Sequence, residues 1–156
     1  MTGLMFLSRV VMARKKLLNA RLKEDRYRCS AENIGVSFGR CGSHTRNMSA
    51  HETAMVRHMD AADEANRLEN ELNLIIDEVE NKLEMLTVDN GDEVLRMHFL
   101  DGMPLSQVAK ELHYNRQAIY KVKDRALEEL DQILADEEAT EEATRILKLA
   151  TLSECG

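Results

Sequence analysis

Between Ala50 and Asn90 the chain contains neither Gly nor Pro. Nothing in that run stops a helix. At 1.5 Å per residue, a helix from Ser49 to about Leu86 extends roughly 57 Å. That is longer than a small domain is wide, so the helix needs a long partner to cover its apolar side. Ala61, Ala65, Leu68, Leu72, Ile75, Val79 and Leu86 mark that side, alternately four and three apart, with Lys82 interrupting the row. This is a heptad seam. Ile76 and Leu83 make it wider than a two-stranded coiled coil requires. Ser49-Ala-His-Glu52 has the form of a capping box and is the expected start of the helix.

The natural partner is an earlier helix, expected over about Ser8 to Glu32. Val11, Leu18 and Leu22 are expected on its inner stripe, widened by Leu7, Val10 and Leu17. Lys and Arg from Met12 to Arg28 form the opposite face. Gly35 to Ser49 supplies three glycines and several Ser, Thr and Asn, which is flexible-loop chemistry. Residues 1–88 therefore read as a long, coiled-coil-like helical hairpin with a flexible loop at 35–49. A homodimer through the long helix is the competing way to cover the seam, and both can hold together. Residues 1–48 carry ten Lys/Arg against three Asp/Glu, and residues 49–95 carry three against thirteen. The first helix is thus expected to dock on the acidic one, with phosphate contact as the alternative.

Val94 to Leu130 reads differently: VLRMHFLDGMPLSQVAKELHYNRQAIYKVKDRALEEL. Asn90-Gly91 is a turn signal, Asp92 a candidate N-cap, and Asp101-Gly102 a helix stop. Leu105, Val108, Ala109 and Leu112 lie on one face of a short helix, with Pro104 just before it. His113-Tyr114-Asn115 is only long enough to turn. Ile119, Val122, Ala126, Leu127 and Leu130 point inward from a second helix that starts at Arg116. Two short helices on a three-residue turn are the helix-turn-helix of major-groove readers. Ser106, Asn115, Arg116, Gln117, Tyr120, Lys121 and Arg125 are the candidate DNA-binding residues. Arg reads guanine, Asn and Gln read adenine, and Lys and Tyr reach phosphate. The competing reading is a small helical core with a solvated polar face. DNA is favoured because the outward set avoids carboxylates until Asp124.

The same string resembles region 4 of sigma-70-type factors, through its R-x-H-F-L-D-G-M, V-A-K-E-L-H-Y and I-Y-x-x-x-x-x-A-L runs. More narrowly, residues from about Met12 to Leu134 resemble small phage-encoded regulators of the ArpU type. The resemblance implies a C-terminal domain at 89–134 that binds double-stranded promoter DNA, control of late phage genes, and contact with RNA polymerase. His113 stands where many helix-turn-helices carry Gly, which implies a non-Gly residue at positive φ. Residues 135–156 are expected as an acidic tail or a short helix. The fold class is therefore all-α, a hairpin followed by a sigma-70 region-4-like helix-turn-helix.

Other classes find little support in the 156 residues. No catalytic constellation is visible, neither a Gly-rich phosphate loop nor a nucleophile with its base, so no enzyme and no cofactor are expected. Cys29, Cys41 and Cys155 are odd in number and far apart, which argues against a disulfide framework. Cys41-x-x-His44 with Cys29, His51 and His58 repeats no zinc-ligand spacing, so no metal is expected. No apolar run approaches a membrane span. The expected location is the cytoplasm of a bacterial host. Two rival functions remain: a DNA-packaging subunit like a phage small terminase, and a protein that binds polymerase or sigma factor without touching DNA.

Overall fold

Leu, Ala, Glu, Lys, Arg and Met dominate this chain, and these are strong helix formers. The computed structural model describes residues 1–36 and 44–153, with side chains over 1–33 and 50–150. All the secondary structure among the described residues is helical. The elements are α1 (Gly3–Val36), α2 (His44–Leu83), α3 (Gly91–Leu95), a π-helical turn (Arg96–Leu100), α4 (Leu105–Glu111) and α5 (Arg116–Ser153). No helix among the described residues is long and apolar enough to cross a membrane.

Several expected boundaries shift. The first long helix begins at Gly3 rather than Ser8. Asp131 accounts for the early start: its carboxylate accepts the Gly3 N–H, one of the donors that a helix start leaves unpaired. The second begins at His44, so Ser49 lies inside it rather than at its start. No Gly or Pro separates His44 from Ser49, and a helix has no reason to stop there. The rest of the expected loop, residues 37–43, lies outside the described residues, as do Cys41 and Cys155. The acidic stretch after Leu134 is continuous with α5 and forms no separate element.

The chain divides into two compact units. One comprises residues 12–75, the greater part of α1 and α2. There Arg21 pairs with Glu69 at 2.5 Å and Lys23 with Glu64 at 3.2 Å. The partner number falls as the first rises, as it does between helices of opposite direction. On α1, Ala13, Leu17, Ala20, Glu24, Tyr27 and Ala31 are buried or half-buried, alternately four and three apart. On α2 the matching row is His51, Ala54, His58, Ala61, Ala65, Leu68, Leu72 and Ile75. The α2 stripe expected from sequence is the one buried.

The α1 stripe is buried only in part: Leu7 and Val10 are buried and Leu17 is half-buried. Val11, Leu18 and Leu22 are 50%, 60% and 52% exposed. Burial follows residues two positions away, about 200° round the helix at 100° per residue. Alanines mark that side and have no bulk to hold two helices apart.

The other unit joins residues 1–11 to residues 76–156. Phe6, Leu7 and Val10 from the first turns of α1 are buried, as are Val79 and Leu83 from the end of α2. Leu130 and Leu134 of α5 are buried too. Polar contacts join the same elements: Gly3 to Asp131, Arg9 to Glu78 and Lys82 to Glu137. Gly91 fits closely, since a Cβ there would lie 3.0 Å from the Cβ atoms of Ala126 and Val88. Asn90, at φ 56°, precedes the first turn of α3, so Asp92 sits inside the helix rather than capping it.

Candidate nucleic-acid interface

α4 and the start of α5 are held by one small core. Val94, Leu105, Val108, Ala109 and Ile119 are buried together, with Met97, Met103, Leu112, Tyr114 and Val122 packed around them. Leu105, Val108, Ala109, Leu112, Ile119 and Val122 were expected inward from their helical spacing. The chain enters this core through the π-helical turn, where the Asp101 N–H donates to the Arg96 carbonyl at 3.1 Å. Gly102 follows at φ 72°, and the stop expected at Asp101-Gly102 is found there. His98 is half-buried, its Nδ1 2.8 Å from the Met103 carbonyl oxygen and its ring edge-on to Phe99. That is a structural role at the edge of the core.

α4 opens at Pro104, whose extended backbone (φ −66°, ψ 144°) lets its carbonyl accept from Gln107 and Val108. It closes by a paired bond pattern. The Tyr114 N–H donates to the Ala109 carbonyl at 2.8 Å, and the His113 N–H to the Lys110 carbonyl at 3.3 Å. This is a Schellman closure, and His113 occupies its left-handed position at φ 57° where Gly is usual. The positive φ implied at His113 is observed. Asn90 ties the turn down from outside, its Nδ2 donating to the Tyr114 hydroxyl at 2.7 Å.

α5 begins with a side-chain cap. The Ala118 N–H donates to Asn115 Oδ1 at 2.7 Å. Asn115 therefore has its amide oxygen engaged and only its NH2 facing outward. Sequence reasoning grouped it with the base readers and missed this role, although Asn just before a helix is a capping signal.

All seven candidate residues are exposed: Ser106 on α4, Asn115 in the turn, and Arg116, Gln117, Tyr120, Lys121 and Arg125 on α5. Gln117, Lys121 and Arg125 follow one another at intervals of four and form one row. Arg116 and Tyr120 form the adjacent row, which Asp124 continues. None of the side chains of Arg116, Gln117, Lys121 and Arg125 is tied by a hydrogen bond or ion pair to another described residue. Lys123, not anticipated, lies 5.5 Å from the Tyr120 ring centroid and 3.5 Å from Asp124. Gln107 and Lys110 are exposed on α4 and were also missed. Their signal was available, since they fill the polar positions between Leu105, Val108 and Leu112.

No metal-binding group of three or more His, Cys, Asp or Glu occurs among the described residues, and Cys29 is exposed. The chain matches no family model, no curated protein and no solved structure.

Proposed function

We propose that α4, its turn and α5 act as a helix-turn-helix, and that the chain is a sequence-specific, double-stranded-DNA-binding regulator of transcription. The sigma-70 region-4 resemblance adds late phage genes as the target and RNA polymerase as a second partner. The observation that carries the reading is the outward set at the start of α5. Two Arg, one Lys and one Gln project from a helix whose opposite side, Ile119 and Ala126, is fully buried. Planar guanidinium and amide groups held on a rigid, packed helix are what reading base edges requires. Their freedom from intramolecular partners leaves their donors available.

Charge sets the conditions. Residues 96–134 carry six Lys/Arg and six Asp/Glu, so attraction to phosphate comes from local placement rather than net charge. Binding should fall steeply with salt.

The test is binding selection on duplex DNA followed by footprinting at low salt, with three variants. Arg116→Ala and Gln117→Ala should each relax base preference at one position, by about 1–3 kcal/mol of discrimination. Lys121→Ala should weaken all sequences alike and lower the salt slope by about one. Equal effects from both kinds of variant would remove the recognition-helix reading. Absence of any duplex binding at low salt would remove the function.

A further inference from the structure

α1 and α2 carry two stripes of the same spacing and opposite charge. On α1 the stripe is Lys15, Leu18, Leu22 and Arg26; on α2 it is Glu52, Met55, Met59 and Asp63. In each the positions are i, i+3, i+7 and i+11, which share one helix face. A charge closes either end, and two apolar side chains lie between. All eight residues are exposed. Leu18 and Leu22 are 60% and 52% exposed, Met55 and Met59 40% and 60%, and Val56 widens the second stripe at 55%. Among the described residues the side chains of Lys15, Glu52 and Asp63 have no hydrogen-bond or ion-pair partner, and that of Arg26 bonds only the Leu22 carbonyl, at 3.3 Å.

Both stripes belong to the unit of residues 12–75. Leu18 and Leu22 stand two positions either side of the buried Ala20, and Met59 and Asp63 two either side of the buried Ala61. Two positions turn a helix by about 200°, so each stripe lies opposite the row that its helix buries against the other. One copy therefore cannot bring its own stripes together. Neither stripe suits a second copy of itself, because cations would meet cations on α1 and carboxylates would meet carboxylates on α2. The α1 stripe of one copy does fit the α2 stripe of another. Both extend about 16 Å between their charges, and these fall at matching ends in either relative direction of the helices.

We propose that the Lys15–Arg26 stripe of one copy docks on the Glu52–Asp63 stripe of a second copy. Leu18 and Leu22 cover Met55 and Met59, and a cation meets a carboxylate at either end. The two stripes face opposite ways, so one neighbour cannot take both, and the contact is head-to-tail rather than twofold. Each copy then offers its remaining stripe to a third. The contact differs from a coiled coil through the α2 seam, which is already covered within the chain. It uses none of the α4 and α5 residues of the DNA-binding reading and is independent of it.

The experiment is light scattering and sedimentation of the full chain at low salt, up to about 1 mM, because a contact this short sits at the weak end of interfaces. Wild type should pass twice the 17.8 kDa of one chain as concentration rises. Lys15→Glu with Arg26→Glu, and separately Glu52→Lys with Asp63→Lys, should each weaken association at least tenfold. All the substituted positions are exposed, and unchanged circular dichroism shows that the fold survives. Mixing these two variants should restore association, since each presents the charge that the other lacks. Leu18→Glu with Leu22→Glu removes one stripe, and Met55→Glu with Met59→Glu removes the other. Each of these should stay monomeric alone, and their mixture should stop at twice 17.8 kDa. A monomeric wild type, an assembly indifferent to the substitutions, or a charge mixture that stays monomeric would overturn the proposal. So would a mixture of the Leu and Met variants that forms no pair or grows beyond one.

Discussion

His113 sits in the left-handed region at φ 57°, where a Cβ crowds the following carbonyl. The Schellman closure holds it there through the Tyr114 and His113 N–H groups. His113→Gly should therefore raise stability by about 0.5–1 kcal/mol, the relief of strain exceeding the added unfolded-state freedom. His113→Val should lower it by more than that. Urea midpoints of the two variants check both signs. At Glu129 the Thr87 hydroxyl donates at 2.6 Å, and the Thr87 and Val88 N–H groups donate at 3.0–3.1 Å. The hydroxyl contact first, then the backbone donors, hold this carboxyl below its ordinary pKa. A depressed acid contributes stability above its unfolded pKa and loses it as pH falls through the folded value. Glu129→Gln should therefore cost about 1 kcal/mol at pH 7. The cost should shrink toward pH 3. An equal cost at both pH values would show that the carboxylate charge is irrelevant to this clip.

At the level of elements, α3 and α5 approach closely because Gly91 has no side chain. Gly91→Ala brings a Cβ within 3.0 Å of two other Cβ atoms, neither of which can swing aside. The expected cost is about 1–3 kcal/mol, read as a lower denaturation midpoint. The sequence signalled a turn at Asn90-Gly91, but this close contact was not legible in it. α4 and the start of α5 were readable because three independent signals coincide there: Pro104 at the start, a three-residue turn, and large aliphatics on one side. The α2 seam was readable for a similar reason, since Leu68, Leu72, Ile75 and Val79 stand in heptad register. α1 was misread in part: Val11, Leu18 and Leu22 face solvent, while Leu7, Val10 and Leu17, expected only to widen the stripe, share the buried side with Ala13, Ala20 and Ala31. Hydropathy weights size, and helices packed through alanine reverse the usual relation between size and burial. Among the site residues, exposure of Arg116, Gln117 and Lys121 followed from the position of Ile119. The capping bond of Asn115 depended on where α5 begins, which periodicity locates only to within a few residues.

Taken whole, the chain folds its beginning into its end. A cut placed by sequence pattern at residue 89 would isolate the short helices and leave out what α1 contributes to their unit. Phe6, Leu7 and Val10 are 2%, 0% and 0% exposed, in a unit otherwise built from residues 76–156. Each such side chain contributes about 1.5–3 kcal/mol when fully buried. Three of them together rival the whole stability of a small domain, about 5–15 kcal/mol. A fragment of residues 76–156 should therefore lose most of its cooperative unfolding transition, although it keeps the whole of α3, α4 and α5. A peptide of residues 1–11 added in trans should restore the transition in proportion to its concentration, because it binds only the folded form. Phe6→Ala in that peptide should abolish the rescue, at a cost of about 3–5 kcal/mol. Urea titration of the fragment with and without peptide checks both. A fragment that unfolds with the midpoint of the full chain, and ignores the peptide, would show that the first turns of α1 cover the unit without stabilising it.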